Sequence, residues 1–378
     1  MSPPPVILVA NFAPDAQQSM LRLAELFRRE LAAAGVAVEL VAPLPRLTRL
    51  CRPYRYSGWP KLLGYADKFL FFPRVLRRLV RARPDAVFHI VDHANAVYLA
   101  HLPRRTVVTC NDLLQIRSAL GEIPENRVGW SGRRYQHWIR RHLARAPWAA
   151  SISGKTCADL RRLTGLPPER TPVIPLPLNF DYHRLDADRA RALVAEVSAS
   201  AAHTAFLLNV GGGQWYKNRP GLLRIFHALR TAHGYAGRLI MVGKPLAGAD
   251  AALAAQLGLA DAIEAPRHVS NEQLAALYSA ADGLVFPSLE EGFGWPSLEA
   301  QACGCRVFTS NRPPMTEVGG DGAVYFDPAD PAGAAATIAQ ALRGTPVLNE
   351  RGLANARRFT TAAMVAAYLE LYRRAAQE

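Results

Sequence analysis

The chain has 378 residues and a formal net charge of +14; half of its residues are hydrophobic and a fifth are charged. This length exceeds what one compact core normally holds, so a single small binding module is excluded and two domains are expected. The composition is typical of a folded α/β protein and excludes a disordered or collagen-like chain.

The first half of the chain alternates short β-branched runs with longer amphipathic stretches. This alternation is typical of a parallel sheet with helices on both faces. In chain order it predicts a strand at 6–10, a helix near 18–34, a strand at 36–41, a helix near 61–81, strands at 86–90 and 106–109, a helix near 132–145, a strand at 148–152, a helix near 155–164 and a proline-spaced strand at 173–178. We expect a hinge around residues 178–200.

A second alternation follows the hinge. It predicts strands at 206–210, 239–242, 262–264, 284–286, 306–308 and 323–325, helices near 219–231, 249–257, 271–280, 296–302 and 331–342, and a last helix at 361–376. The simplest packing is an α/β fold with two tandem Rossmann-like doubly wound domains that face a cleft, where ligands bind at the carboxyl ends of the strands. We predict domains over 1–180 and 181–360 and a C-terminal helix over 361–378, which we expect to pack back toward the N-terminal domain.

The positive charge lies in the first half of the chain. Residues 1–178 carry 27 Lys and Arg against 12 Asp and Glu, a net charge of +15. Such an excess suits nucleic acid, an anionic membrane surface or substrates such as diphosphates. No zinc-finger, basic-zipper or RNP-like pattern accompanies the arginines, so we expect no nucleic-acid partner. The segment 61–83 mixes Leu and Phe with Lys and Arg, which fits either an interfacial membrane helix or an ordinary helix packed on a sheet.

The sequence also indicates a compartment. Its apolar runs are far shorter than the roughly 20 residues that cross a bilayer, and its first residues contain no cationic leader. We therefore expect a cytoplasmic protein, with peripheral contact at an anionic inner membrane face. The five cysteines form no CxxC pair, which argues against a disulfide framework or a zinc site. Asp186 and Asp188 have DxD spacing but follow no predicted strand, so we expect no metal and no cofactor.

The most informative stretch, residues 286–299, joins a strand end to a glycine loop and a helix start. Gly292, Phe293 and Gly294 form a loop in which the backbone can approach a ligand closely. The helix that follows presents free N–H groups and the positive end of its dipole, which suits a diphosphate. Glu291 and Glu299 can then face one pocket and accept hydrogen bonds from sugar hydroxyls.

Glu291 and Glu299, with Gly-Phe-Gly after the first Glu, resemble the E-x7-E motif of the retaining family 4 glycosyltransferases, which have the two-Rossmann GT-B fold. Further matches extend the resemblance over nearly the whole chain. In the second half they are Val210 and Gly211 with Lys217 and Asn218, and Val269 with 274–277; in the first half they are 14–20, 89–93 and 109–112.

The resemblance implies roles for the matched residues. Glu299 would bind the ribose of a nucleotide and Glu291 the donor hexose, while the amides of Gly292, Phe293 and Gly294 would hold sugar and phosphate. Lys217 would neutralise the leaving diphosphate, because glycosyl transfer needs charge stabilisation there more than a strong base. The catalytic residues would be Glu291, Lys217 and His93. The remaining implied donor contacts are Gly211, Gly212, Asn218 and Val269. The implied contacts to the acceptor or its sugar are Gln18, Ser19, Asn111 and Asp112.

The chain departs from the family pattern at two positions. Gly212 stands where the family commonly has an Arg, so a second positive charge comes from Arg219 or Lys244 or is missing. Asn111 replaces the His of many relatives, which leaves His93 as the nearest imidazole by motif and gives Asn111 a hydrogen-bonding role only.

We therefore predict a metal-independent, retaining hexosyltransferase, with mannose as one candidate sugar. It would use a nucleotide diphosphate sugar as donor and a glycan or lipid diphosphate as acceptor, in cell-surface polysaccharide synthesis. Two alternatives stay open. One is a glycoside hydrolase or phosphorylase that uses Glu291 and Glu299 as an acid/base pair. The other is a non-catalytic nucleotide-sugar or polyanion binding protein, which Gly212 and Asn111 would allow.

Overall fold

The computed structural model describes residues 3–51, 58–343 and 348–378. The chain divides into two compact units. Unit 1 comprises Met1–Asn179 together with Thr361–Glu378, and unit 2 comprises Phe180–Thr360. The last helix of the chain therefore belongs to the same unit as its first strand.

Unit 1 contains a five-stranded parallel sheet of order β2-β1-β3-β4-β5. Its strands are β1 Val6–Val9, β2 Val38–Val41, β3 Val87–Ile90, β4 Thr106–Cys110 and β5 Trp148–Ser151. Its helices before the chain enters unit 2 are α1 Gln18–Ala33, α2 Gly58–Ala66, α3 Phe72–Ala82, α4 Leu114–Ala119, α5 Trp130–Leu143 and α6 Gly154–Thr164. Strands β1, β3, β4 and β5 are buried along their whole length, as expected for parallel strands covered on both faces.

Unit 2 contains a six-stranded parallel sheet of order β11-β10-β9-β6-β7-β8. Its strands are β6 Phe206–Gly211, β7 Arg238–Gly243, β8 Ile263–Glu264, β9 Gly283–Phe286, β10 Val307–Ser310 and β11 Ala323–Phe326. Its helices are α7 Ala187–Val197, α8 Arg219–His233, α9 Ala249–Gln256, α10 Asn271–Ala280, α11 Trp295–Ala302, α12 Met315–Gly319, α13 Pro331–Leu342 and α14 Glu350–Ala356. Both units thus have the predicted doubly wound α/β architecture.

One prediction for the segment that leads into unit 2 is wrong. Residues 173–178 form no strand; only Val173 bridges to Ser151 at the end of β5. Prolines at 172, 175 and 177 explain this, because proline has no N–H to donate to a sheet ladder. The boundary between the two units, at Asn179 and Phe180, lies within the span 178–200 predicted as a hinge. The same span also contains α7, whose first turn is capped by Asp186 through the N–H of Arg189.

The helix predicted near 61–81 is interrupted. A π turn, Asp67–Phe71, separates α2 from α3. Pro73, in the first turn of α3, has no N–H and its ring excludes an ordinary hydrogen bond to the carbonyl four residues earlier, which accounts for the change in pitch. Lys68 in the π turn is buried and bonds to Asp15 at 2.7 Å. This part of the segment therefore packs inward, as in an ordinary helix on a sheet.

The last helix, α15 Thr361–Ala376, docks on the unit 1 sheet through a buried chain of polar side chains. His89 on β3 lies with Nε2 2.7 Å from Thr109 Oγ1 and with Nδ1 2.7 Å from the hydroxyl of Tyr372. The hydroxyl of Tyr368 lies 2.7 Å from the same Thr109 oxygen. Phe27 from α1 packs edge-on against the rings of His89 and Tyr368. These contacts make α15 part of the core of unit 1.

Several features bear on the expected compartment and ligands. All five cysteines are free thiols. Within residues 3–51, 58–343 and 348–378, no group of three or more His, Cys, Asp or Glu side chains is arranged to hold a metal ion. None of the helices over the same residues combines the length and the apolarity needed to cross a bilayer.

Burial predicts a pH dependence of the stability of unit 1. Complete desolvation lowers the pKa of His89 to about 3, below the unfolded value of about 6.5. Between these values the unfolded chain binds more protons, so the free energy of unfolding should fall as the pH decreases. Between pH 7 and pH 5 we expect the free energy of unfolding to fall by about 2 kcal/mol more in the wild-type protein than in the variant His89→Gln. Urea titration at the two pH values measures this difference.

The variant His183→Gln, which removes an exposed histidine of unit 2, serves as the control and should keep the wild-type pH response. An equal loss in the wild-type protein and in His89→Gln would show that His89 does not stay neutral in the folded state.

Candidate functional site

Two loops of unit 2 are joined at the carboxyl edge of its sheet. They follow the neighbouring strands β6 and β9. The N–H of Leu289 donates to the carbonyl of Tyr216 at 2.7 Å. The amide of Asn218 donates to the carbonyl of Pro287 at 3.1 Å. Ligands of doubly wound sheets bind at this edge, so the joined loops are the candidate site.

An ion pair connects the same two loops. Lys217 Nζ lies 2.5 Å from Glu291 Oε1, and the two side chains are only 15% and 10% exposed. The ammonium group also lies 4.9 Å from the ring centre of Phe286 and 5.5 Å from that of Tyr216. Shielding from water strengthens such contacts. The fold thus brings together two residues that the sequence predicted as catalytic.

The second acid of the motif is buried in α11. Glu299 is 5% exposed and its Oε2 accepts a hydrogen bond of 2.9 Å from the hydroxyl of Tyr278 on α10. Desolvation raises the pKa of Tyr278 well above its ordinary value, so this hydroxyl stays protonated and donates. Tyr278 was not among the residues predicted from the sequence. It directly follows the matched residues 274–277, and its place on the buried face of α10 was the available signal.

The glycine loop ends at the amino end of α11. Gly294 immediately precedes this helix and has φ of +100°, a conformation that a residue with Cβ rarely adopts. Pro296 lies in the first turn, where its missing N–H costs nothing. The side chain of Phe293 is buried and packs edge-on against Phe359. This packing anchors the loop at Phe293. Glu291 and Gly292 directly precede this anchor, and α11 begins two residues after it.

The other predicted donor contacts lie at the same sheet edge. Gly211 ends β6 and Gly212 follows it. Asn218 has φ of +50° and accepts the N–H of Gly221, which caps α8. Val269 lies further out, in the loop that leads from β8 to Ser270, the residue that caps α10 in a capping box with Gln273. Strand β7 separates β8 from β6 in the sheet.

Unit 1 has a polar cluster of its own at the carboxyl ends of β1, β3 and β4. Asn11 follows β1, is 4% exposed and donates to Asp92 Oδ2 at 2.6 Å. Its carbonyl oxygen accepts from Asn95 at 2.9 Å, and its amide also donates to Gln17 at 2.5 Å. The sequence analysis did not single out Asn11 or Asn95. The signal for Asn11 was a polar residue directly after a fully apolar strand.

His93 and Asn111 lie in this same edge region. His93 Nδ1 is 3.3 Å from Asp92 Oδ1. Asn111 is buried and its amide donates to the carbonyl of Val91 at 3.2 Å, while its own Oδ1 has no hydrogen-bond partner within the described parts of the chain. Asp112 accepts the N–H of Leu114 at 3.1 Å. Burial raises the pKa of Asp112.

The two other predicted acceptor contacts are placed differently. Gln18 and Ser19 are the first residues of α1, and both side chains are exposed. The neighbouring Gln17, which is also exposed, is the residue of this loop that bonds to Asn11. The acceptor-side residues of the sequence analysis thus fall into a buried group at the strand ends and an exposed group at the helix start.

Comparisons with known proteins identify the class. Residues 22–182 match the model of Glycosyltransferase Family 4, and residues 194–359 match that of Glycosyl transferases group 1. Together the two models span most of unit 1 and of unit 2. The chain belongs to the group 1, family 4 type of glycosyltransferases, which confirms the resemblance drawn from its motifs.

Individual relatives agree with this assignment. The chain is 29% identical over 298 residues to the O-antigen chain mannosyltransferase B of Escherichia coli, which covers 77% of this chain and 75% of that protein. It has the fold of sucrose-phosphate synthase from Thermosynechococcus elongatus, with a TM-score of 0.77, 20% identity and 98% of both chains covered. HepE from Anabaena, solved with UDP and glucose, has a TM-score of 0.67 at 15% identity over 97% of this chain and 98% of that chain. The fold is therefore GT-B.

Asn218 helps to join the two loops, so we expect its replacement to lower the free energy of unfolding. Its side chain caps α8 and donates to the carbonyls of Pro287 and Pro328, and its backbone is left-handed. Asn218→Ala removes these bonds and puts alanine, which tolerates the left-handed backbone less well than asparagine, at this position, so the free energy of unfolding should fall by about 2 kcal/mol. Chemical denaturation measures this loss.

Asn218→Gly is the matched control, because glycine tolerates the left-handed backbone but also lacks the side chain. It should recover about 1 kcal/mol of the loss. Equal stability of the wild-type protein and Asn218→Ala would contradict the role of Asn218 in joining the loops.

Proposed function

We propose that this glycosyltransferase is a retaining, metal-independent hexosyltransferase of cell-surface polysaccharide synthesis. Its donor would be a nucleotide diphosphate sugar, with mannose as the first sugar to test, and its acceptor a glycan or a lipid diphosphate. The O-antigen mannosyltransferase relative supports the choice of mannose and of polysaccharide. The observation that carries the proposal is the Lys217–Glu291 pair beside the glycine loop at the start of α11.

The donor chemistry follows from the charges at this site. In the reaction the bond between the anomeric carbon and the phosphate oxygen breaks, and the electron pair stays on the diphosphate. Lys217 and the free N–H groups at the start of α11 would stabilise that charge without a metal. The acceptor hydroxyl forms the new bond on the face that the diphosphate leaves, and its proton passes to the departing phosphate oxygen. Bond formation on this same face retains the configuration of the anomeric carbon.

The two glutamates would divide the recognition of the donor. Glu291 lies in the loop beside Lys217 and would accept a hydrogen bond from a hydroxyl of the hexose. Glu299, held by Tyr278, would accept hydrogen bonds from the ribose hydroxyls. Each acid has a partner of its own, Lys217 for one and Tyr278 for the other, and this favours binding roles over an acid/base pair for hydrolysis.

The acceptor would bind to unit 1, where the positive charge of the chain is concentrated. A phosphate-bearing acceptor suits this charge. The buried cluster around Asn11, Asp92 and Asn111 supplies hydrogen-bonding groups at the edge of the sheet where ligands bind. His93 is the imidazole of this cluster and would contact the acceptor or the transferred sugar.

A surface of unit 1 supports contact with an anionic membrane. Tyr65 on α2 packs against Tyr135 on α5, with 5.9 Å between the ring centres. Trp59 lies near the start of α2, and Trp130 is the first residue of α5. Trp59 is 68% exposed and Trp130 is 73% exposed.

Basic and apolar neighbours complete this surface. Lys61 lies on α2, Arg134 stacks over the Trp130 ring at 5.1 Å, and Leu62 is exposed. Exposed tryptophans with basic neighbours suit the headgroup region of an anionic bilayer. We name Trp59, Leu62 and Trp130 the tryptophan patch. A lipid-linked acceptor would be reached from such a surface.

Donor binding can be tested with nucleotides and two site variants. UDP, GDP and their hexose conjugates should be screened by thermal shift, and at least one should raise the melting temperature. For that ligand, Lys217→Ala and Glu299→Ala should each weaken binding by about 1.5 to 3 kcal/mol, as the loss of a charged hydrogen bond does. Titration calorimetry measures both.

Arg224→Gln is the control, because it removes an exposed positive charge elsewhere on α8 and should leave the affinity unchanged. The donor assignment fails if no nucleotide or nucleotide sugar shifts the melting temperature. The placement of the site fails if both alanine variants bind with wild-type affinity.

The tryptophan patch can be tested by flotation with vesicles. The wild-type protein should float with anionic phosphatidylglycerol vesicles at low salt and much less with neutral phosphatidylcholine vesicles. The double variant Trp59→Ala/Trp130→Ala should lose most of this binding. Phe180→Ala, which removes an exposed aromatic ring of unit 2, should float like the wild type. Absence of binding to anionic vesicles at low salt would exclude the membrane contact.

A further inference from the structure

Two lysines lie against the three-glycine loop that follows β6. A Cβ placed on Gly211 would lie 3.3 Å from Cδ of Lys217, and a Cβ placed on Gly213 would lie 3.2 Å from Cδ of Lys244. The bare glycine backbone therefore lets both aliphatic stems pass close to the loop. Lys217 follows this loop in sequence, whereas Lys244 comes from the neighbouring strand.

The sheet register places Lys244 beside this loop. Strands β6 and β7 pair in parallel, with Gly211 opposite Gly243. Lys244 is the first residue beyond β7, as Gly212 is the first beyond β6. Both strands thus deliver a residue to the same carboxyl edge, where the helix start of α11 also lies.

Arg219 fixes the backbone at Lys244. This arginine is 5% exposed, and its guanidinium group donates to the carbonyl of Lys244 and, at 3.2 Å, to the carbonyl of Pro245. Asp250 lies 3.9 Å from the same group. Burial lowers the pKa of Arg219. Because its guanidinium group is bonded to these backbone carbonyls, Arg219 braces the turn after β7.

The charges of the two lysines are balanced differently. Lys217 is paired with Glu291, so this pair adds little net charge to the loop. Lys244 is exposed and forms no ion pair among the residues that the structure describes. An anion that arrives at the loop therefore meets the uncompensated charge of Lys244, in addition to the N–H groups of the loop and of α11.

We propose that Lys244 is the second phosphate-binding cation of this site and that Arg219 is the positioning residue that holds it beside Gly213. The inference rests on the proposed function, since its ligand is the diphosphate of the donor. Lys244, which directly follows the neighbouring strand β7, would then supply the positive charge that is absent at Gly212.

The test uses the full-length protein with UDP and GDP as probes. Titration calorimetry first establishes which diphosphate binds to the wild-type protein. For that diphosphate, Lys244→Gln should raise the Kd about 10-fold, whereas Lys244→Arg should stay close to the wild type and Arg224→Gln should have no effect. Added salt should weaken diphosphate binding less in Lys244→Gln than in the wild type, because one charge interaction has been removed.

A nucleoside separates phosphate binding from a general disturbance of the site. Lys244→Gln should bind uridine or guanosine, whichever nucleoside the wild-type protein binds, with the wild-type Kd. The role of Arg219 is tested by coupling: Arg219→Gln should weaken diphosphate binding in the wild-type background and have little further effect in Lys244→Gln. If Arg219→Gln does not fold, as judged from its melting curve, the Lys244 variants carry the test.

The outcomes distinguish the two proposals. If the wild-type protein binds neither UDP nor GDP, the proposed donor site itself is wrong. If the wild-type protein binds a diphosphate and Lys244→Gln binds it with the same Kd and the same salt dependence, the donor site stands and the role of Lys244 is overturned. An equal loss of nucleoside and diphosphate binding in Lys244→Gln would also overturn it, because the residue would then support the site as a whole.

Discussion

The ion pair between Lys217 and Glu291 is the contact on which the candidate site of unit 2 depends. It joins the loop after β6 to the loop after β9, and the two residues are 74 positions apart in sequence. The backbone bond from Leu289 to Tyr216 and the side-chain bonds of Asn218 hold the same loops. Because the pair is mostly shielded from water, its electrostatic attraction is stronger than that of an exposed pair.

Both units bring their polar side chains together in the same way. In each, parallel strands end at one edge, and polar side chains that are distant in sequence meet there. Unit 2 places lysines, glutamates and a glycine loop at this edge. Unit 1 places a buried set of amides and carboxylates around Asn11 at its own edge. A charged set suits a diphosphate, and an amide-rich set suits hydroxyl groups.

Local physical rules made much of the fold predictable. Strands β1, β6 and β9 are short, mainly apolar runs and lie within one residue of their predicted bounds. Helices α10, α13 and α15 have the predicted bounds. The errors occurred where proline changes the outcome. Prolines at 172, 175 and 177 prevented a strand, and Pro73 introduced a π turn into an otherwise helical pattern.

By itself the sequence determined the α/β class, the order of the elements, the glycosyltransferase family and the motif residues Glu291, Glu299 and Lys217, because periodicity and short motifs are local properties. Only the tertiary structure decided the partners of these residues. Tyr278 behind Glu299, Lys244 beside Gly213 and the packing of α15 on His89 depend on strand register and helix docking. Such contacts join residues that are far apart along the chain, so no local pattern in the sequence specifies them.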